Sequence, residues 1–588
     1  MKRKNMRMTA KLMFRLLPVQ VLLAAVGSVN GIVSGYFAAN YVGIDALSAV
    51  SLYGPLSMLA GAVSTMITGG CAIISGKYIG QNRDEKLQDV FSFGLLLSAG
   101  IALVFMALYV LMGVFNLTGI FTSIAELRPV LNRYLLGMAV GMIPMMLANI
   151  LPFFLTLENK GSRTFTASVV YIAVNLILNY VFVQVLSLQE TGLALASSLG
   201  MWVFFAVQAQ YFLSSKSHLK MKPGRFLKKE CIEIIAVGLP GAATYLYMTV
   251  RGLTVNQIIS AACGSEGLSA FAAANNLLNF FWAVPGGMQA VSRLLISVSV
   301  GEEDRQTLTD IMRVMFFRFL PFMGCIIALV IIAAPYLTQL YFHDPSSAVS
   351  RMMTDGLRIL PLCMPFSIIA AHFVIWRQAA GQQTFVHVMS LLDGMLDVII
   401  FSLLLVNASG LNGVYLANVL NGIVTTLYII LYAWKANKRF PRNMEELMAI
   451  PKNFGAPEED RIDISVTSEE EVVEVSQKIR KFCAEKGVGK RRAYIASLAM
   501  EEMAGNVVSH GFVKDSKRHT VDLRAVYKDD RIILRIRDDC IPFNPKERSQ
   551  LFDENDPAKN VGIRMIYRIA DEIEYQNLLG LNVLTVRI

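Results

Sequence analysis

Near the C-terminus of this 588-residue chain, the segment AMEEMAGNVVSHGF sets Glu502, Asn506 and His510 at i, i+4 and i+8, along one face of a helix. A carboxylate, a carboxamide and an imidazole in one line suit a site that holds a metal-bound phosphate. The Asn side chain can give an oxygen to Mg²⁺, which keeps its other positions for waters and phosphates. The Glu can serve as a general base. Downstream, RIRDDCIPFNP runs a strand into a loop, and Asp538 at the strand end can accept a hydrogen bond from an adenine amino group. In KNVGIRMIYRIAD, Gly562 stands at the start of a helix, where free N–H groups and the helix dipole favour phosphate.

A second set of reactive side chains lies inside long apolar runs. Arg251 falls mid-run near Asn256 and Gln257, and Asn275, Asn276 and Asn279 sit in the next run. His372 and Arg377 occupy a later one. Asp393 and Asp397 are four apart and share a helical face. Ionisable groups within a bilayer are costly and are kept for function. The two carboxylates could bind a cation or a proton, or pair with Arg251.

The elements that position these residues are apolar helices. Hydrophobic residues make up 54% of the chain and charged residues 17%, against about 25% charged in soluble domains. Runs long enough to cross a bilayer recur from Leu16 to Trp434. They divide into twelve spans at 16–37, 46–75, 90–115, 132–156, 164–187, 191–214, 232–262, 268–298, 312–340, 353–376, 384–406 and 412–434. Lys and Arg concentrate in alternate connections, which predicts a cytosolic N-terminus. With an even number of spans, the C-terminal part is cytosolic too. Residues 1–442 hold 31 basic and 18 acidic side chains, and residues 443–588 hold 23 and 26. The basic excess therefore belongs to the membrane part and does not argue for nucleic acid. Seven scattered cysteines without a CxxC pair indicate neither a metal site nor a disulfide framework. The basic start MKRKNMR leads into a span with no cleavage site after it.

The spans repeat at an offset of 221 residues: Gly43 matches Gly264, Leu47-Ser48-Ala49 matches Leu268-Ser269-Ala270, Gly80 matches Gly301, and Gly192 matches Gly413. Six spans per half insert both halves with the same orientation, related by an axis along the membrane normal, with a cavity between them. We expect halves at 1–215 and 216–434, a basic and Pro-containing linker at 435–460, and a soluble α/β domain at 461–588. In that domain RIDISV reads as a strand, Ser468-x-x-Glu471 as a capping box, and HTVDLRAVY and RIILRIRDD as paired strands.

The order of the three C-terminal segments resembles the N, G1 and G2 boxes of GHKL ATPases, and residues 461–588 look most like the anti-sigma-factor serine kinases of that superfamily. The resemblance implies a Bergerat α/β sandwich binding ATP and Mg²⁺. It assigns Glu502 as catalytic base, Asn506 as Mg²⁺ ligand, Asp538 as the adenine-binding carboxylate and Gly562 as a phosphate-loop glycine. It places His510, Cys540, Phe543, Asn560 and Ile563 in the same pocket. Cys540 replaces the Gly of the family's D-x-G, and one Gly of its G-x-G is Asn560. These departures leave nucleotide binding in place and put turnover in doubt. Residues 10–434 resemble the MATE multidrug and toxin extrusion family, through YVGIDALSAVSLYGP, KYIGQNRDEK, SVGEEDRQTL and LPGAATYL. Many members carry an Asp in the first span, and here that position is Ser34.

The combined expectation is an all-α polytopic inner-membrane exporter of cationic or amphipathic organic compounds, with a fused cytosolic ATP-binding domain that regulates it. Na⁺ or H⁺ antiport would drive it, and Arg251, Asn256, Asn275, Asn279, His372, Asp393 and Asp397 would line the transport cavity or couple the ion. No GxxxxGK[ST] sequence is present for direct ATP drive. Two alternatives stand. One is a membrane sensor whose serine-kinase or partner-switching domain binds a regulatory protein. The other is a lipid-linked sugar flippase, which needs a more cationic cavity than Arg251 alone supplies.

Overall fold

The computed structural model describes residues 2–120, 126–222, 228–339, 342, 344, 345, 347–512, 519–542, 544–546 and 561–588. Its membrane part is helical: α1 Lys2–Phe37, α2 Ile44–Gly80, α3 Asp84–Val114, α4 Leu127–Ala139, α5 Met142–Leu157, α6 Gly161–Asn179, α7 Gln189–Leu213, α8 Lys228–Gly301, α9 Arg305–Val314, α10 Leu320–Gln339, α11 Ala348–Ile359, α12 Met364–Ala379, α13 Gln383–Leu391, α14 Asp397–Ser409 and α15 Leu411–Asn437. Among the described residues, ten helical stretches are long and apolar enough to cross a membrane, and the pair α4–α5, bent by 49°, makes an eleventh. One of the ten is the 70-residue stretch Ile232–Gly301. Straight, it would run about 105 Å, several times a hydrocarbon core. It breaks at Gly264, where φ is 65°. Dividing it there gives twelve spans.

The partners of α2 show that the chain reverses at this break. Gly70 packs against Ile234 and Gly238 against Met66, while Gly76 packs against Ser297 and Gly80 against Val298 and Gly301. Residues 234 and 297 therefore lie at the same end of α2. The matching break of the first half is Gly43, also at positive φ (129°). Gly80 and Gly301, paired by the repeat, touch each other. A Cβ built on Gly80 would stand 2.7 Å from the Gly301 carbonyl carbon, and one on Gly301 would overlap the Lys77 carbonyl. The halves thus meet along a pseudo-twofold axis and are closed against each other at this end.

The C-terminal domain comprises β1 Arg461–Val466, α17 Glu469–Glu485, α18 Lys490–Asn506, β2 Val521–Lys528, β3 Arg531–Asp538, α19 Val561–Ile569, β4 Glu572–Leu578 and β5 Leu581–Arg587; a short α16, Met444–Leu447, precedes it. The strands form one antiparallel sheet in the order β1-β2-β3-β5-β4. β3 alternates between core and outer face, whereas β2 has four successive buried residues, Leu523 to Val526, because its outer face is covered as well. Leu523, Ala525, Leu534, Ile536, Leu584 and Val586 share a core with Val475, Ile479, Ala496 and Met500 of α17 and α18. Ser468 caps α17 by accepting from Glu471 N at 3.4 Å, while the Glu471 carboxylate accepts from Thr467 N at 2.7 Å.

The opposite face of the sheet carries Arg524, Lys528, Arg535 and Arg537, and it is not left to solvent. It lies across the closed end of the membrane bundle. The segment before it is also packed down, since Trp376 Nε1 and Arg377 Nη2 donate to the Met448 carbonyl at 3.0 and 2.8 Å.

Candidate functional site

Three places hold the chemistry: a pocket edge in the C-terminal domain, a cavity in the membrane part, and the joint between the two.

In the C-terminal domain, α18 presents Glu502 and Asn506, both half-buried, and then loosens into a π turn at Val507–Gly511 that leaves His510 exposed. Asn506 Nδ2 donates to the Glu502 backbone carbonyl at 2.6 Å. The Glu502 carboxylate lies against the first turn of α19, so close that a Cβ on Gly562 would overlap Oε2. At the end of β3, buried Asp538 accepts from Asn582 Nδ2 at 2.8 Å and from Cys540 N at 3.0 Å through Oδ1. Burial pushes its carboxyl above the usual range against the pull of those hydrogen bonds. The Cys540 thiol packs toward Gly511, filling the space that a glycine at 540 would leave. Ile563 is buried in the domain core. Phe543 and Asn560 lie outside the described residues. Asn582, on β5, is a partner the sequence reading did not pick out. Its only signal is a polar residue on the strand face that otherwise carries Leu584 and Val586.

These groups suit a nucleotide. Asp538 offers a buried polar edge for a base, and Gly562 of α19 leaves room for nothing larger than hydrogen beside Glu502. Glu502 and Asn506 are the oxygen donors at hand for Mg²⁺.

In the membrane part, a cavity of about 670 Å³ is lined by both halves, chiefly the second. Of the expected residues, Arg251, Asn275, Asn279 and Asp393 line it. Asn256 is exposed on the outer surface of α8. His372 is buried beside the cavity rather than in it, with Nε2 at 2.8 Å from Ser292 Oγ and Nδ1 at 2.7 Å from the Ile368 carbonyl. Asp397 is buried away from the lining, and its Oδ2 has no hydrogen-bond partner. Asp393 sits in a π turn, Leu392–Leu396, and accepts from Asn421 Nδ2 at 2.9 Å. Arg251 does not pair with either aspartate side chain. Its Nη1 donates to the Asp393 backbone carbonyl at 3.2 Å. A second lining cation, Arg293, was not picked out from the sequence, although it lies inside the run 268–298. Ser34, in the first half, faces Ser197 at 3.4 Å between hydroxyl oxygens.

At the joint, the loop Glu302-Glu303-Asp304 of the second half meets the outer face of the sheet. Arg524 pairs with Asp304, Lys528 with Glu303, and Arg535 with Glu302 (2.7 Å) and Asp304 (3.2 Å). Arg537 Nη2 donates to Thr307 Oγ1 at 3.1 Å. Burial would raise the Asp304 carboxyl, but Arg524, Arg535 and Arg537 together hold it far below the usual range. The same domain grips the first half. Asn82 donates to Glu574, Lys11 pairs with Asp539, and Arg15 donates to the Leu579 carbonyl. Leu579 itself is buried in the membrane part's core cluster. Asp539, next to Asp538, also lies 2.9 Å from His519 Nδ1. Burial acts upward on its carboxyl, and Lys11 and His519 bring it below the ordinary value.

Twelve spans in two parallel halves around a polar cavity give the architecture of a secondary transporter, and an α/β sandwich is docked beneath it. The comparisons agree. The MatE family model matches residues 22–181 and 240–404, and the histidine kinase-like ATPase domain model matches 447–588. The chain belongs to the MATE family, with a histidine kinase-like ATPase domain fused after the transporter. It is 23% identical over 391 residues, 64% of this chain and 81% of the relative, to a probable multidrug resistance protein NorM of Photorhabdus laumondii. Two solved structures share the fold. One is an outward-facing multidrug resistance MATE transporter of the MOP superfamily, with TM-score 0.65 and 18% identity, over 72% of this chain and 95% of that one. The other is a MOP superfamily transporter from Pyrococcus furiosus, described as having a binding pocket of reverse polarity, with TM-score 0.66 and 19% identity, over 71% and 95%.

Proposed function

We propose that this protein is a gradient-driven exporter of amphipathic organic compounds, resident in the inner membrane with both termini cytosolic, and that its fused domain binds Mg-ATP and governs access to the transport cavity. The observation that carries the reading is the sheet lying across the Gly80–Gly301 contact while gripping both halves. Opening that end separates Gly80 from Gly301, and so must break either the Asp304 cluster or the Lys11, Arg15 and Asn82 contacts. The nucleotide site is wired to one of these grips, since Asp538 is followed directly by the Asp539 that holds Lys11. A base that binds at Asp538 acts one residue from the joint. Glu502 and Asn506 would hold the metal, and the phosphates would displace the Glu502 carboxylate from the start of α19.

Coupling to Na⁺ or H⁺ is assigned to the second half. Ser34 offers no carboxylate, while Asp397 offers a buried one with an unsatisfied oxygen. The test uses proteoliposomes that contain a fluorescent amphipath, with imposed Na⁺ or H⁺ gradients and Mg-ATP on the side of the C-terminal domain. We expect gradient-dependent flux, lost in Asp397→Asn, that responds to ATP in the wild type and not in Asp538→Asn. Flux indifferent to both gradients removes the export reading. Flux indifferent to ATP removes the regulation.

A further inference from the structure

The cavity in the membrane part contradicts the simple picture of a cation exporter. Three charged side chains line it: Arg251, Arg293 and Asp393. The carboxylate of Asp393 is engaged by Asn421, and Arg251 reaches only the Asp393 backbone carbonyl. Arg293 is less satisfied still. Its Nε is buried without a hydrogen-bond partner, and its Nη1 lies in the space beside Gly69, where a Cβ would come within 3.3 Å. Among the described residues, neither guanidinium forms an ion pair with a carboxylate. A buried charge without a counter-charge is strongly unfavourable, and inside a bilayer such a group is kept where a ligand supplies the missing partner. The remaining lining includes Trp282, Leu278, Met248 and Val374, an apolar wall for the body of a ligand.

We propose that this cavity takes an amphipathic organic anion, its carboxylate, sulfonate or phosphate held by the positive lining that Arg251 and Arg293 make and its apolar part against Trp282. Guanidinium groups suit these oxyanions, because their planar fork donates two parallel hydrogen bonds. An organic cation meets two like charges here and one carboxylate already engaged. The inference deepens the export reading by naming its substrate class, and it depends on that reading only for the direction of movement. The anion can be a free solute or the headgroup end of an acidic lipid, which present the same oxyanion to the same arginines.

The test is equilibrium binding to the full chain in nanodiscs without any gradient. It compares a dansyl-tagged alkyl sulfonate with a dansyl-tagged alkyl trimethylammonium of the same body. The sulfonate is expected to bind more tightly. Arg293→Gln and Arg251→Gln should each weaken it about tenfold to hundredfold, the worth of one charge-assisted hydrogen bond, and Arg293→Lys should recover part of that loss. Asn279→Asp, which adds a carboxylate to the lining and removes no cation, should reverse the preference and guards against misfolding of the arginine variants. Tighter binding of the ammonium probe, or a sulfonate affinity unmoved by all three charge-altering variants, overturns the proposal. Neither outcome touches gradient-driven flux, and absent flux with intact sulfonate selectivity would sink only the export reading. Transfer of a labelled acidic phospholipid between leaflets, tested in the same membranes against uptake of the free sulfonate, assigns the source of the anion.

Discussion

Two groups of buried and half-buried arginines divide this molecule. On the outer face of the sheet, Arg524 and Arg535 meet the carboxylates of Glu302 and Asp304, and Arg537 lies within reach of Asp522 and Thr307. In the membrane cavity, Arg251 and Arg293 meet none among the described residues. The same side chain thus does two jobs. Where Arg524 and Arg535 are answered by acid from the other domain, the charges fix a docking geometry. Where the guanidinium is left open, the charge marks a place for something that arrives. Burial alone does not tell these apart, because it costs both; the partner does.

The sharpest way to break the contrast is to unpair the joint. Asp304→Ala leaves Arg524, Arg535 and Arg537 without their shared partner, and removing one member of a buried cluster costs about 3–5 kcal/mol. The C-terminal domain should undock, seen as faster hydrogen exchange across β2 and β3 and faster proteolysis in 439–460. Gly301→Ala attacks the closure instead of the latch. Its Cβ would overlap the Lys77 carbonyl, so the variant should show the two halves parted while the sheet stays paired with Glu302 and Asp304.

Acidification separates the regions without mutation. Asp304 has a folded pKa far below the unfolded value, so its stabilising contribution is complete above the unfolded value, near 4, and fades only as the pH falls toward the folded one. Docking should survive mild acid. Asp538 is shifted the other way, so it gains a proton at a higher pH than an ordinary carboxylate. ATP affinity, measured by fluorescence titration of the full chain, should therefore fall on acidification before the domain undocks. Loss of docking first would reverse the two assignments. The smallest effect is expected at Asn256. It is exposed on α8 and away from the cavity, so Asn256→Ala should leave probe binding and flux within about twofold, a surface substitution of small energetic effect.

Much of this was legible in the residues. The 221-residue offset paired Gly43 with Gly264 and Gly80 with Gly301, because a repeated backbone need repeats its glycine; that the first pair breaks the helices and the second pair touches is seen only in the structure. Alternation in HTVDLRAVY and RIILRIRDD located the strands and both their faces. It could not say what the charged face meets, since a solvated face and a docked face share the same pattern, and the acid that answers it lies some 230 positions earlier at Asp304. Arg293 was missed for a related reason: it lies inside the run 268–298, and sequence alone does not tell a cation that faces a cavity from one at the rim. The intramembrane candidates sorted only in three dimensions: Asp393 reached the cavity, while His372 found both of its partners inside the bundle.

The central claim is that the nucleotide site controls the closure through the bridge. It is tested most directly by the distance between the halves, measured by double electron–electron resonance with spin labels at Ser162→Cys and Lys435→Cys, the native cysteines replaced. Both positions are exposed. The account predicts a distance distribution that broadens or lengthens on addition of Mg-ATP as the Lys11–Asp539 grip loosens, and no change in the Asp538→Asn background. An identical distribution with and without Mg-ATP, in a protein shown by titration to bind the nucleotide, would contradict it.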